Sequence, residues 1–323
     1  MRLILSFIVA LLVFSIVGAL FMWWLAPRDV KIGATFSTVY TQSLDLDWQE
    51  VYLAILEDLQ IKSLRIPVYW SEIEKVQGVY DFDDLDWMMD EARKRQVDVT
   101  LVVGVKVPRW PECFFPDWIE YRSELYQKEA LMKFIEETVV RYREHPALLR
   151  WQVENEAYFP FGECPLPDPK RFVAEIAQVR DLDPAHPVQL TTSGEQALWL
   201  ITASRADVLG VSLYRVTWNS TFGYWVFPLP SAMYALQQTL ASPFVQEVLV
   251  SELQVEPWIA EFMREWSIEK QYQAFTEEEL RAHIDFARRT RVNEVFLWGV
   301  EWWYYLKVHG EDRLWEAGKE ILR

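Results

Sequence analysis

Two glutamates carry the chemistry most readily read from this 323-residue chain. Glu156 closes the run Trp151-Gln-Val-Glu-Asn-Glu156, and Glu252 lies in Val248-Leu-Val-Ser-Glu252-Leu; each ends a β-rich stretch where the chain turns into a loop. Two carboxyl groups delivered from separate strand ends can act on opposite sides of one glycosidic bond, one as proton donor and one as nucleophile. Retention of configuration requires them about 5 Å apart. Neither motif is specific alone, so the weight falls on the elements that must position the pair.

Those elements form a regular pattern. Short β-rich runs alternate with amphipathic helical stretches, which predicts a mainly parallel sheet covered by helices. Eight strands are expected: Ile32 to Phe36, Ser63 to Val68, Val97 to Val103, Leu148 to Val153, Val188 to Thr192, Val208 to Ser212, Glu247 to Ser251 and Glu294 to Trp298. Helices are expected at Trp48 to Gln60, Asp83 to Arg95, Arg122 to Arg143, Pro169 to Arg180 and Thr276 to Arg289, the last opened by a Thr276-Glu-Glu-Glu279 capping box. Eight units suit a closed α/β structure, a (β/α)8 TIM barrel. An open doubly wound sheet would show a Gly-rich phosphate turn after its first strand, and Gly33-Ala-Thr-Phe-Ser has none. In a barrel the loops after the strands build the active face.

Several pieces then occur in a recognisable order. Leu64-Arg65-Ile-Pro-Val-Tyr-Trp70-Ser-Glu72 is followed by Gly78-Val-Tyr80-Asp81-Phe82, Asn155-Glu156, Ser251-Glu252 and Trp298-Gly-Val-Glu301. From about Ile32 onward the chain resembles the clan GH-A glycoside hydrolases, retaining barrel enzymes that include family 5 cellulases and mannanases and family 42 β-galactosidases. The resemblance implies that Glu156 is the general acid/base and Glu252 the nucleophile. It implies that Asn155 binds the sugar 2-hydroxyl, that Arg65 keeps the nucleophile ionised, that Tyr214 hydrogen-bonds to it and that Trp298 is the sugar platform. The chain departs from the commonest family 5 pattern, since Ser212 stands where a strand-six histidine is usual. Of the four histidines only His309 is expected near the mouth.

The 17 tryptophans suggest sugar-stacking surfaces, with Trp70, Trp110, Trp118, Trp218, Trp225, Trp258, Trp302 and Trp303 expected at or near the active-face loops, and Glu301 expected either to contact sugar hydroxyls or to lie on the surface. So many rings favour an extended cleft for several sugar units, on an oligo- or polysaccharide substrate. No cofactor is expected, and no histidine or cysteine spacing suits a metal. Two other functions fit the same features: a catalytically silent carbohydrate-binding barrel or envelope scaffold, and a transglycosylase using the same two glutamates.

The net charge of −16 argues against nucleic-acid partners. Leu3 to Ala26 is an almost unbroken apolar run, long enough to cross a bilayer as a helix, so residues 1–26 are expected to be a transmembrane signal-anchor ahead of a catalytic domain spanning 27–323. A cleaved signal and a secreted protein are the alternative. Flank charges leave the orientation open, because Arg2 faces Arg28 and Lys31. Cys113 and Cys164 fall in the loops after the third and fourth strands, neighbours on one face. A disulfide between them would imply an exoplasmic, oxidising location, whereas two unpaired thiols would not.

Overall fold

The computed structural model describes residues 15, 18, 22–219, 221, 223–258 and 263–322. Most of the apolar run expected to be a transmembrane anchor therefore lies outside the described residues. Among those described, no helix is long and apolar enough to cross a membrane.

Among the described residues there are ten strands: β1 Lys31–Thr35, β2 Ser63–Pro67, β3 Asp98–Val103, β4 Leu148–Val153, β5 Val188–Thr192, β6 Val208–Leu213, β7 Val216–Asn219, β8 Gly223–Val226, β9 Glu247–Gln254 and β10 Glu294–Trp298. Eight of them close a parallel barrel in the order β1-β10-β9-β6-β5-β4-β3-β2. The remaining two form an antiparallel hairpin inserted after β6, which the strand pattern did not predict. Helices Trp48–Glu57, Asp83–Lys94, Glu124–Tyr142, Pro169–Leu182 and Glu277–Arg288 fall within two residues of their expected starts. Their starts are held by side-chain caps where the sequence supplies them: Asp47, Ser123, Asp168 before Pro169, and the Thr276/Glu279 capping box.

The barrel interior is a column of paired polar groups. Toward the end where strands begin, Arg150 ion-pairs with Glu294 and with Glu247 (3.0 Å), and Ser63 Oγ donates to Glu294 at 2.7 Å. Gln189 and Gln152 continue the column upward, linked at 2.8 Å. The chain enters at the lower end. There Arg291 donates to the Trp24 carbonyl (3.1 Å), Arg28 N–H to the Arg288 carbonyl (3.0 Å) and Lys31 N–H to that of Asn293 (2.9 Å).

One irregularity positions the site. Against β6, Val250 pairs with Val211 but Glu252 pairs with Ser212; against β10, Val250 pairs with Val295 and Leu253 with Leu297. Both neighbours thus meet one extra residue in β9 between Val250 and Leu253. That is a β-bulge, a device that re-aims side chains near active sites. The strand runs on to Gln254, past the expected end at Ser251.

Candidate active site

The floor of the mouth is organised by Arg65, fully buried on β2. Its Nη1 donates to Glu252 Oε1 (3.0 Å), its Nη2 to Asn155 Oδ1 (2.7 Å) and its Nε to Gln152 Oε1 (2.8 Å). Burying a guanidinium is costly unless every donor finds an acceptor, and removing one partner of such a pair typically costs about 3–5 kcal/mol. Glu252 receives a second donor, Tyr214 Oη, on its other oxygen at 2.9 Å.

Glu156 stands in opposite surroundings. Its backbone is left-handed (φ 44°), a strained conformation for a non-glycine residue, and its N–H is held by Thr191 Oγ1 at 2.8 Å. Its Oε1 is buried without a hydrogen-bond partner among the described residues. Burial pushes its pKa well up, and the charge of Glu252 pushes it further. Glu154, two residues earlier, is turned away to accept from the Val105 and Lys106 N–H groups (3.2 and 2.8 Å) and from Arg171 (3.2 Å).

Asn155 links this pair to a carboxyl that sequence reasoning passed over. Its Nδ2 donates to Glu112 Oε2 at 3.1 Å. Because Arg65 can only donate, the amide oxygen must face Arg65 and the NH2 must face Glu112. Glu112 is buried, and its pKa is also raised, first by burial and then by Glu252.

A second cluster crosses the mouth. Arg109, on the loop after β3, lies over the rings of Tyr40 (3.8 Å) and Trp298 (4.1 Å), and ion-pairs with Glu256 and with Glu301 (3.1 Å). Tyr40 Oη donates to Glu256 at 2.7 Å. β3 and β9 stand opposite each other in the barrel order, so Arg109 spans the opening. Gly299 makes this possible: it holds φ +121°, and a Cβ there would meet Glu256 Cβ at 2.5 Å. In this arrangement Trp298, 8% exposed, has an arginine as its stacking partner.

Two expected sugar contacts are corrected by burial. Glu301 is fully buried, accepting from Ser37 N–H (2.9 Å) and from Arg109, so it anchors the mouth and offers nothing to a ligand. Trp70 is likewise fully buried, stacked on Phe134 with its Nε1 on Glu74 (2.7 Å); the helix it opens turns it into the core. Trp302 and Trp303 share that fate. His309 ends the helix Val300–Val308, which runs back toward the opposite end of the barrel from the mouth. Trp110 and Trp258 do reach the rim. Trp110 is 60% exposed and touches Phe161 (6.1 Å between centroids), Phe161 touches Trp258 (6.0 Å) and Trp258 touches Tyr214 (5.6 Å).

Cys113 and Cys164 form a disulfide, with Cα atoms 5.3 Å apart, tying the loop that carries Arg109 and Glu112 to the loop that carries Phe161. Arg109, Glu112 and Phe161 escaped the sequence reading. Their signal was present in charged residues placed beside Trp, Pro and Cys in an expected mouth loop.

Comparison with known proteins agrees with this architecture. Residues 41–168 match the β-galactosidase family pattern of glycoside hydrolase family 42, a span that includes Arg65, Glu112, Asn155 and Glu156 but ends before Glu252. The β-galactosidase BgaA of Clostridium cellulovorans is 22% identical over 145 residues, covering 39% of this chain and 22% of its own length. A putative mannan endo-1,4-β-mannosidase 5 of Oryza sativa subsp. japonica is 29% identical over 143 residues, 36% of this chain and 28% of its own. These matches thus span under a third of either relative. Among solved structures, the exo-β-1,4-mannosidase Op5Man5 from Opitutaceae bacterium strain TAV5 superposes with a TM-score of 0.63 at 16% identity, covering 92% of this chain and 60% of that one. A family 5 subfamily 18 protein from Streptomyces cattleya, solved with GlcNAc, gives 0.56 at 17% identity, covering 84% and 71%. The closed barrel, the partial family match and the motifs in order together support a clan GH-A glycoside hydrolase barrel.

Proposed function

We propose that this protein is a retaining β-glycosidase in which Glu252 is the nucleophile and Glu156 the general acid/base. The observation that carries the reading is the contrast between two neighbouring carboxyls: buried Glu252 receives Arg65 and Tyr214, whereas Glu156, half-buried with its Oε1 desolvated, holds its proton. In the first step a Glu252 oxygen attacks the anomeric carbon as the bond to the leaving oxygen breaks, and the Glu156 proton passes to that oxygen. A glycosyl ester results. Esterification removes the Glu252 charge, and with it the largest of the charge effects that raise the Glu156 pKa, so Glu156 becomes a better base. Water then attacks the anomeric carbon, gives its proton to Glu156 and frees Glu252 with retained configuration.

β-Galactosidase and β-mannosidase names among the relatives point to a β-linked hexose as the sugar cleaved. Arg109 and Phe161 both reach across the mouth, which favours a glycoside of few units over the extended cleft suggested by the tryptophans. For localisation, we propose a domain held by residues 1–26 on the exoplasmic side of a membrane; the disulfide supports an oxidising compartment. N-terminal sequencing of membrane-extracted protein tests the anchor, and recovery of a chain beginning after residue 26 would refute it.

The catalytic test is a panel of aryl β-galactosides and β-mannosides, with the anomer of the first-formed product read by NMR. Turnover by the parent with β-product, loss in Glu252→Ala, and azide rescue of that variant to an α-glycosyl azide are expected. An α-product from the parent would refute retention. Near-normal activity in both Glu252→Ala and Glu156→Ala would refute the assignment.

A further inference from the structure

The mechanism leaves one buried carboxyl of the pocket without a task. Glu112, 6% exposed, ends the turn Arg109–Glu112, closed by its own N–H donating to the Arg109 carbonyl at 2.7 Å. Both ends of the turn have positive φ (87° and 76°), which non-glycine residues adopt only when the surroundings enforce it. The enforcement is visible on either side. Cys113, the next residue, is bonded to Cys164; and Gly162 of the neighbouring loop, at φ +90°, packs so closely that a Cβ there would meet Glu112 Cβ at 2.6 Å.

These restraints deliver the Glu112 carboxyl to Asn155 Nδ2, beside Glu252 and Glu156, whose charges it feels. A carboxyl group has far more hydrogen-bonding capacity than the one amide donor uses. Merely orienting Asn155 does not require it, since Arg65 already determines which way that amide faces. The 3.1 Å between Asn155 Nδ2 and Glu112 Oε2 is close to the separation of two adjacent hydroxyls on a pyranose ring.

On the reading of Glu156 and Glu252 given above, we propose that Glu112 is a substrate-contacting, specificity-determining residue that binds the 3-hydroxyl of the sugar whose anomeric carbon faces Glu252, with Asn155 on the adjacent 2-hydroxyl. The substrate class is then a glycoside whose reacting sugar carries free vicinal 2- and 3-hydroxyls, and substitution at O3 excludes a substrate.

A double-mutant cycle between residue and hydroxyl tests this. kcat/KM is measured for the parent, Glu112→Gln and Glu112→Ala on the best aryl β-glycoside and on its 3-deoxy and 6-deoxy counterparts. Removal of the 3-hydroxyl should cost the parent on the order of 100-fold and Glu112→Ala less than about 10-fold, while the 6-deoxy effect stays the same in both. If the 3-deoxy and Glu112→Ala losses simply multiply, Glu112 only supports Asn155 and the proposal is overturned. Glu112→Gln keeps size and an acceptor, so it preserves the cycle should the alanine variant unfold. The same grid read as binding of the free glycosides by calorimetry serves if the parent turns nothing over; coupling there would uphold the contact although the catalytic assignment had failed, and no binding by the parent would end both.

Discussion

On the proposed mechanism Glu156 has an acid's task and a basic-side limit. Its pKa is raised to about 8, first by burial and then by Glu252, so kcat/KM for substrates with poor leaving groups should fall as pH rises through about 8. Glu156→Ala should lose about 100- to 10,000-fold on such substrates and far less on activated aryl glycosides, for which the basic limb should also vanish; an unchanged limb in that variant would assign it to another group. Arg65→Lys keeps the charge but loses the planar fork that reaches Gln152, Glu252 and Asn155 at once, and should lower kcat by about 100-fold with the fold intact by circular dichroism. At this scale the proposed catalytic glutamates, Arg65 and Tyr214 could be singled out in the chain because each sits within or just after a β-rich run in a characteristic short motif. Glu112 could not, because its place depends on a turn, a disulfide and a glycine from another loop. Trp70 misled for the converse reason: its four-residue helix rotates it inward, which no local pattern announces.

At the level of elements, the loops after β3 and β4 behave as one piece. The disulfide closes 51 residues of chain, and losing it in Cys113→Ser/Cys164→Ser should cost about 3–4 kcal/mol, read as a lower Tm by calorimetry. If these loops hold Glu112 and Arg109 over the pocket, the same variant should also raise KM at temperatures where it remains folded; a lower Tm with unchanged KM would make the bond purely structural. Strand positions were legible because fully buried parallel strands read as short apolar runs between capped helices. The ends of β9 were not. The run Val248 to Val250 looks complete, and only pairing with two neighbours at once shows the extra residue that carries the strand through Glu252. The hairpin β7–β8 was missed because it stands outside the barrel, where burial does not set its pattern.

For the whole molecule, acidity is concentrated inside as well as outside. Glu112 and Glu156 are raised to about 8, and Glu195 and Glu301 to about 7, with burial the largest cause in each. Such groups keep protons in the folded state that the unfolded chain releases near its ordinary carboxylate pKa. Their contribution to stability is therefore complete below about pH 4.5 and lost as pH rises through 7 to 8. Carboxylates with lowered values, such as Asp58, Asp86 and Asp183, act in the acid range below that window. The urea midpoint should be higher at pH 5.5 than at pH 8.5, and Glu156→Gln should narrow the difference; a midpoint that rises over this interval would contradict the assignment. The entry of the chain at the lower end of the barrel, beside Arg288 and Arg291, bears on which glycans can be met. If the apolar run is a tether, the opening looks away from the lipid, and the net charge of −16 keeps the body off an anionic surface. Head groups in its own leaflet then lie behind the enzyme, and only sugars arriving from the surroundings stand in front of it.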